Sequence, residues 1–201
     1  MGIVFGSTGA KEPAFQVLAK YSGYEVRQYP QIFIAEVKSS GNGDDFRTLA
    51  KYIGVFGKPE NVAAQPMAMT APVLMDPDEG QTLAMTAPVI NTAKTMSFVL
   101  PFEFKDLQEI PKPSNEAVTI RACPERVVAV EVFSGWYTDD IGQQHLGGLC
   151  EKLRRDGLLS DATEPNWSVA QYHPPFTIPF LRRNEVWVDV KKEAVKQQVA
   201  E

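Results

Sequence analysis

Residues 172–190, YHPPFTIPFLRRNEVWVDV, constrain this chain more than any other stretch. Pro174, Pro175 and Pro179 each lack a backbone donor and fix φ. The first half therefore cannot be helix, and a stiff extended loop carrying Phe176 and Phe180 is expected. Over residues 184–190 the side chains alternate, with Val186, Val188 and Val190 on one face and Glu185, Trp187 and Asp189 on the other. That pattern predicts a strand with one face in the core. Arg182 and Arg183 join the two halves. A rigid aromatic loop ending in two guanidiniums suits an apolar, anionic ligand better than it suits catalysis.

The bulk numbers narrow the field. A chain of 201 residues with 44% apolar content fits one domain or two intimately packed halves. A net charge of −5 and a pI near 5.2 leave no basic stripe to neutralise phosphates, which argues against a nucleic-acid partner. Cys123 and Cys150 fall in different predicted elements and form no C-x-x-C motif, so free thiols in a reducing compartment are expected. There is no run of about 18 apolar residues and no secretion signal. A cytoplasmic protein without a transmembrane segment is the expectation. Gly2 is not read as a lipid site, because Gly6 stands where the myristoylation pattern needs Ser or Thr.

In chain order, residues 1–20 read as an extension containing one possible strand, AFQVLAKY, and residues 24–37 as a β-hairpin broken at Pro30. Asp44 is positioned to cap a helix on which Phe46, Leu49, Ala50 and Ile53 share an apolar face. Arg47 and Lys51 lie together on one flank of that face. They can hold two carboxylates of one ligand or stay hydrated. The hexapeptide AMTAPV occurs at 68–73 and again at 84–89. Met67, Met69, Met75 and Met85 around it either ligate a soft metal or fill an irregular core. Residues 95–101 form a strand and 102–117 a proline-punctuated connection, followed by a second hairpin over 118–133. Asp139 or Asp140 caps a second helix with Leu146, Leu149, Cys150 and Leu153 inward, ending at Gly157. Residues 191–201 read as a polar, frayed tail.

Sliding the chain by 94 residues lays Arg27 on Arg121, Pro30 on Pro124 and Ala35 on Ala129. Each half then reads hairpin, helix, proline loop and strand, with Met69-Thr70-Ala71-Pro72 matched to Phe176-Thr177-Ile178-Pro179. The expected fold is α+β: two pseudo-symmetric repeats, about 21–101 and 117–190, making a single domain over 21–190. Their strands form a distorted antiparallel barrel with two main helices outside.

With these elements placed, the chain resembles the SOUL haem-binding protein family. The resemblance rests on YEVRQYP and AEV, on MAMTAPV and FVLP, on FSG at 133–135, and on YHPPFTIPFLRRNEVWV. It implies a shallow hydrophobic cleft for haem or another tetrapyrrole, between the first helix (46–53) and the loop at 174–183. Under it, Arg47 and Lys51 become propionate partners beside Phe46 and Ala50, and Phe176, Ile178 and Phe180 become walls. Family members can carry a lysine in the proline loop. Here Thr177 and Ile178 occupy that region, which leaves Arg182 or Arg183 as the loop-side cation; Arg183 is equally an ion-pair partner for Glu185 or Glu25.

His173, just before Pro174, is the better-placed axial ligand, while His145 reads as a surface residue and Cys123-Pro124 as structural. No nucleophile constellation stands out. A tetrapyrrole carrier or buffer is thus the leading reading. Beside it stand an interaction module through Leu149-x-x-x-Leu153-x-x-Asp156-Gly157, which resembles a death-regulator helix motif of some relatives, and an enzyme of tetrapyrrole turnover.

Overall fold

The computed structural model describes residues 10–39, 44–76, 95–162, 164–173 and 177–199. Within them nine strands form one sheet: β1 (Gln16–Tyr21), β2 (Tyr24–Tyr29), β3 (Ile32–Lys38), β4 (Val73–Asp76), β5 (Thr95–Val99), β6 (Thr119–Cys123), β7 (Arg126–Phe133), β8 (Trp167–Gln171) and β9 (Asn184–Asp189). Three helices accompany it, α1 (Asp45–Ile53), α2 (Asp139–Arg155) and α3 (Lys192–Val199). The strand order is β1-β2-β7-β9-β8-β4-β5-β3-β6, every neighbouring pair is antiparallel, and the sheet curls into a distorted half-barrel.

The expected repeat is written into this order. Reading outward from the β8–β4 pair gives β9, β7, β2 on one side and β5, β3, β6 on the other. Registers agree residue by residue: Arg27 faces Val128 in β2–β7, and Arg121 faces Ile34 in β6–β3. The shift of 94 carries one pair onto the other. One correspondence changes. Because β4 matches β8, the connection between β8 and β9 matches residues 77–94, which hold the second AMTAPV copy, and not Met69–Pro72. That second copy, Met85 included, lies outside the described residues.

Both faces of the sheet are buried, which the alternation of 184–190 does not announce. One face carries the helices. Leu146, Leu149, Cys150 and Leu153 of α2 pack on Val26, Ala129, Val186 and Val188, while Leu49, Ala50 and Ile53 of α1 pack on Phe33, Ala35 and Phe98. The opposite face gathers Tyr29, Ile34, Leu74, Val99, Val128, Val130, Ala170 and Trp187 into a third cluster. Burying a large apolar side chain contributes about 1.5–3 kcal/mol, so a strand used on both faces is held from both.

Helix ends show where local chemistry was misjudged. Asp44 has helical φ and ψ and makes no capping hydrogen bond, and Thr138, not Asp139 or Asp140, caps α2 by accepting from the Ile141 amide at 3.3 Å. Threonine wins because its extended backbone aims the hydroxyl at the free amides. Gly157, at φ +70°, ends α2 as expected, and Gly54, at φ +90°, ends α1 in the same way. The segment read as a frayed tail instead forms α3, which lies against β1 and buries Val195.

Candidate ligand-binding surface

The loop entering β9, expected to be extended, instead folds into a turn around Phe180. Residues 179–181 make one 3-10 turn, in which Leu181 N–H donates to Ile178 O at 2.9 Å and Arg182 N–H to Pro179 O at 3.1 Å. Pro179 opens the turn because its missing N–H is not needed there. The turn is tied to the β7–α2 connection: Gly135 N–H donates to Pro179 O at 2.9 Å, and Asn184 Nδ2 donates to Gly135 O at 3.1 Å. Gly135 sits at φ +106°, a conformation that favours glycine.

The two segments joined by this tie both expose large apolar side chains. Phe180 is 73% exposed, Trp136 56% and Ile178 41%, with Leu181 also exposed. Apolar groups massed this way mark a binding surface more often than a solvated one. Behind them Arg182 is buried, its guanidinium carbon 3.7 Å from the Trp136 ring centroid and its Nε donating to Thr177 O at 2.8 Å. A cation over an indole face is worth about 0.5–2 kcal/mol.

The base of the loop is anchored in the sheet. Arg183 lies over Tyr172 at 3.5 Å and pairs with Glu12 at 2.5 Å and Glu185 at 3.5 Å. Glu185, 1% exposed, accepts from Arg27 at 3.0 Å, from the Tyr172 hydroxyl at 2.7 Å and from Trp187 Nε1 at 2.7 Å. Burial by itself pulls Arg27 down, yet the Glu185 carboxylate and the Tyr29 hydroxyl overcome it and raise its pKa. Burial pushes Tyr29 up to about 12, so it stays neutral and donates or accepts as a phenol. Of the two partners open to Arg183 in the sequence, Glu185 is the one it faces; Glu25 pairs with Arg27 at 2.5 Å.

The residues nominated from sequence fall into two groups. Phe46 rests edge-on against Phe98 at 5.1 Å and Ala50 is fully buried, so both serve the α1 core. Arg47 is exposed on the same helix, and Lys51 stands 3.6 Å from Glu60 with both side chains nearly half exposed. Arg182 lies over Trp136, and Ile178 and Phe180 are exposed on the turn beside it in sequence. Arg182 is committed to that ring and to Thr177, which makes it a support for the turn. His173 is partly buried, and its Nδ1 accepts the Arg183 N–H at 3.0 Å. Phe176 lies outside the described residues.

Sequence reasoning missed Trp136. Its only signal was a tryptophan in a glycine-bearing turn between a strand and a helix. His145, read as a surface residue, is bound at Nδ1 to Glu131 at 2.8 Å and stacks on Phe133 with centroids 4.0 Å apart. The helix-motif leucines Leu149 and Leu153 are 0% exposed in the core, so an interaction through them would require α2 to leave the sheet. Cys123 and Cys150 are free, buried and in different clusters, and burial pushes both thiols up. Met67 and Met75 likewise pack in different clusters. Among the described residues no helix is long and apolar enough to cross a membrane.

Comparison with known proteins identifies the family and the fold. The mouse (Mus musculus) protein heme-binding protein 2 is 28% identical over 176 residues, 85% of this chain and 79% of that one. Among solved structures, the EcmrR C-terminal domain matches 89% of this chain and 98% of its own at TM-score 0.57 and 9% identity. A hydrolase encoded by lin2189 from Listeria innocua matches 86% and 94% at TM-score 0.55 and 10% identity. At such identities these two show a shared fold alone. The model of the family described as SOUL heme-binding protein matches residues 10–189, a span that begins before β1 and ends with the last residue of β9. The chain therefore belongs to the SOUL heme-binding protein family.

Proposed function

We propose that this protein binds haem or a related tetrapyrrole non-covalently, as a carrier or buffer. The observation that carries the reading is the exposed apolar surface of Trp136, Ile178, Phe180 and Leu181, built on a turn that Arg182 and Gly135 hold in shape. A planar apolar ring fits such a surface, and its carboxylates require cations that are not already buried in pairs. Arg47 and Lys51 are the exposed candidates, and charge-assisted hydrogen bonds to propionates are the interaction they offer. Family membership and the heme-binding name of the mouse relative support the same ligand. Bound haem would supply a Lewis-acidic iron; the protein's part is to cover the ring and position its charges.

Titration of the apo-protein with hemin and with protoporphyrin, followed in the Soret band, tests this. Saturable uptake is expected, weakened by Phe180→Glu and by Arg47→Glu combined with Lys51→Glu. Binding indifferent to Phe180→Glu rejects the turn as a wall, and binding indifferent to the double reversal rejects the propionate assignment. No uptake of either pigment rejects the function.

A further inference from the structure

We propose that the loop following α1, residues 54–66, docks on a lipid bilayer that carries anionic headgroups. The proposal is independent of the haem-binding reading. It starts from apolar side chains that the core does not use. Val55 is 46% exposed, Phe56 61% and Val62 75%, and Ala63, Ala64, Gln65 and Pro66 after it are exposed as well. Large apolar groups kept together in water mark an interaction surface.

The loop is held in that position by main-chain bonds, because it wraps the last turn of α1. Val55 N–H donates to Ala50 O at 2.9 Å, Glu60 N–H to Lys51 O at 3.0 Å, Asn61 Nδ2 to Tyr52 O at 3.1 Å and Met67 N–H to Ile53 O at 2.9 Å. The last carbonyls of a helix lack partners within it, and here the loop supplies them. Four successive carbonyls, spread over about 4.5 Å of helix axis, thus anchor the loop at its beginning, middle and end. Asn61 is buried, donates again to Gln65 O at 2.8 Å and accepts from the Gln65 N–H at 3.0 Å. Gly54 permits the tight return: it sits at φ +90°, and a Cβ there would meet Pro59 Cγ at 2.7 Å. Val55-Phe56 and Val62 therefore issue from one helix end, and their own side chains are not what holds them there.

Charge selects the occupant. Residues 47–66 carry Arg47, Lys51 and Lys58 against Glu60 alone, in a chain whose net charge is −5. Glu60 lies 3.6 Å from Lys51. Val62 N–H donates to Lys112 O at 2.9 Å, which joins a further exposed lysine to the second apolar turn. Apolar side chains interleaved with lysines suit an anionic bilayer, where buried apolar area and attraction of cations to headgroups act together. A symmetric dimer through this surface would instead set these cations against one another.

The experiment is cosedimentation of the full chain with vesicles of phosphatidylcholine alone and of phosphatidylcholine mixed with phosphatidylserine. Binding is expected to the mixed vesicles and not to the neutral ones, and it should weaken as salt is raised. Phe56→Ser combined with Val62→Ser should lower partitioning at least about tenfold. Lys58→Gln combined with Lys112→Gln should lower it about fivefold for each cation removed. Phe56→Trp keeps an apolar ring and should retain binding. All four positions are exposed, so an unchanged melting temperature is expected in every variant. Absence of cosedimentation with the mixed vesicles overturns the proposal, as does binding that survives both double variants. Self-association of the free chain that Phe56→Ser abolishes also overturns it, because the occupant is then a second copy. Haem takes no part in the assay, so failure here is distinct from failure of the haem-binding reading.

Discussion

The guanidinium of Arg182 is sandwiched into the fold by Trp136, 3.7 Å from ring centroid to Cζ, and this contact clamps the turn before β9 onto the connection between β7 and α2. Trp136→Ala should therefore act on both binding and local order. Hemin affinity is expected to fall about tenfold, equivalent to about 1.4 kcal/mol, with the global fold retained. Fluorescence-quenching titration measures it; an unchanged dissociation constant would remove Trp136 from the site.

Glu185 is the acceptor on which Arg27, Tyr172 and Trp187 converge. Removing one member of a buried charged pair leaves the other uncompensated, at about 3–5 kcal/mol. Glu185→Ala should destabilise by that order in urea unfolding, and Glu185→Gln by less, because an amide oxygen still accepts from Tyr172 and Trp187. A loss of under about 1 kcal/mol for the alanine variant contradicts this account of the network.

Glycines on α2 give a contrast within one helix. A Cβ at Gly142 would sit 2.8 Å from Cε2 of Tyr137, whereas at Gly147 and Gly148 nothing lies within 4 Å. Alanine gains about 1 kcal/mol over glycine in a helix interior, and overpacking costs about 1–3 kcal/mol. Gly147→Ala and Gly148→Ala should raise the melting temperature and Gly142→Ala should lower it. Equal shifts at all three would show that Tyr137 yields freely.

The end of α2 should respond to acid. Hydrogen bonding from Arg155 holds the Asp156 carboxyl below its usual 3.8, burial opposes this, and the Tyr24 hydroxyl at 2.7 Å adds to the lowering. A carboxylate with a lowered folded pKa stabilises fully above 3.8 and loses that contribution as pH falls through the folded value. Unfolding free energy measured from about pH 5 downward should drop more steeply in the wild type than in Asp156→Asn. Parallel curves would exclude Asp156 as the source.

Much of the fold was legible because it is local or periodic. The shift that lays Arg27 on Arg121 predicted a symmetry that strand registers reproduce, since matched hairpins bury matched faces. Equivalence of the proline loops was less legible: AMTAPV occurs twice, and only strand order says which copy corresponds to the loop before β9. At the candidate site, Phe180 and Ile178 could be nominated from proline-fixed loop chemistry. Trp136 could not, because its importance depends on Pro179 and Gly135 meeting across 44 residues.

The sequence by itself determined most of the strands, the two main helices and the glycine stop after the second, all of which follow from backbone geometry and side-chain period. Only the tertiary structure decided which groups are charged partners and which are free to bind. It paired Arg182 with Trp136 and Arg183 with Glu12, and it set His145 Nδ1 against Glu131 and His173 Nδ1 against the Arg183 amide. The physical reason is that hydrogen bonding and desolvation depend on neighbours brought together from distant parts of the chain, and residue type alone does not name them.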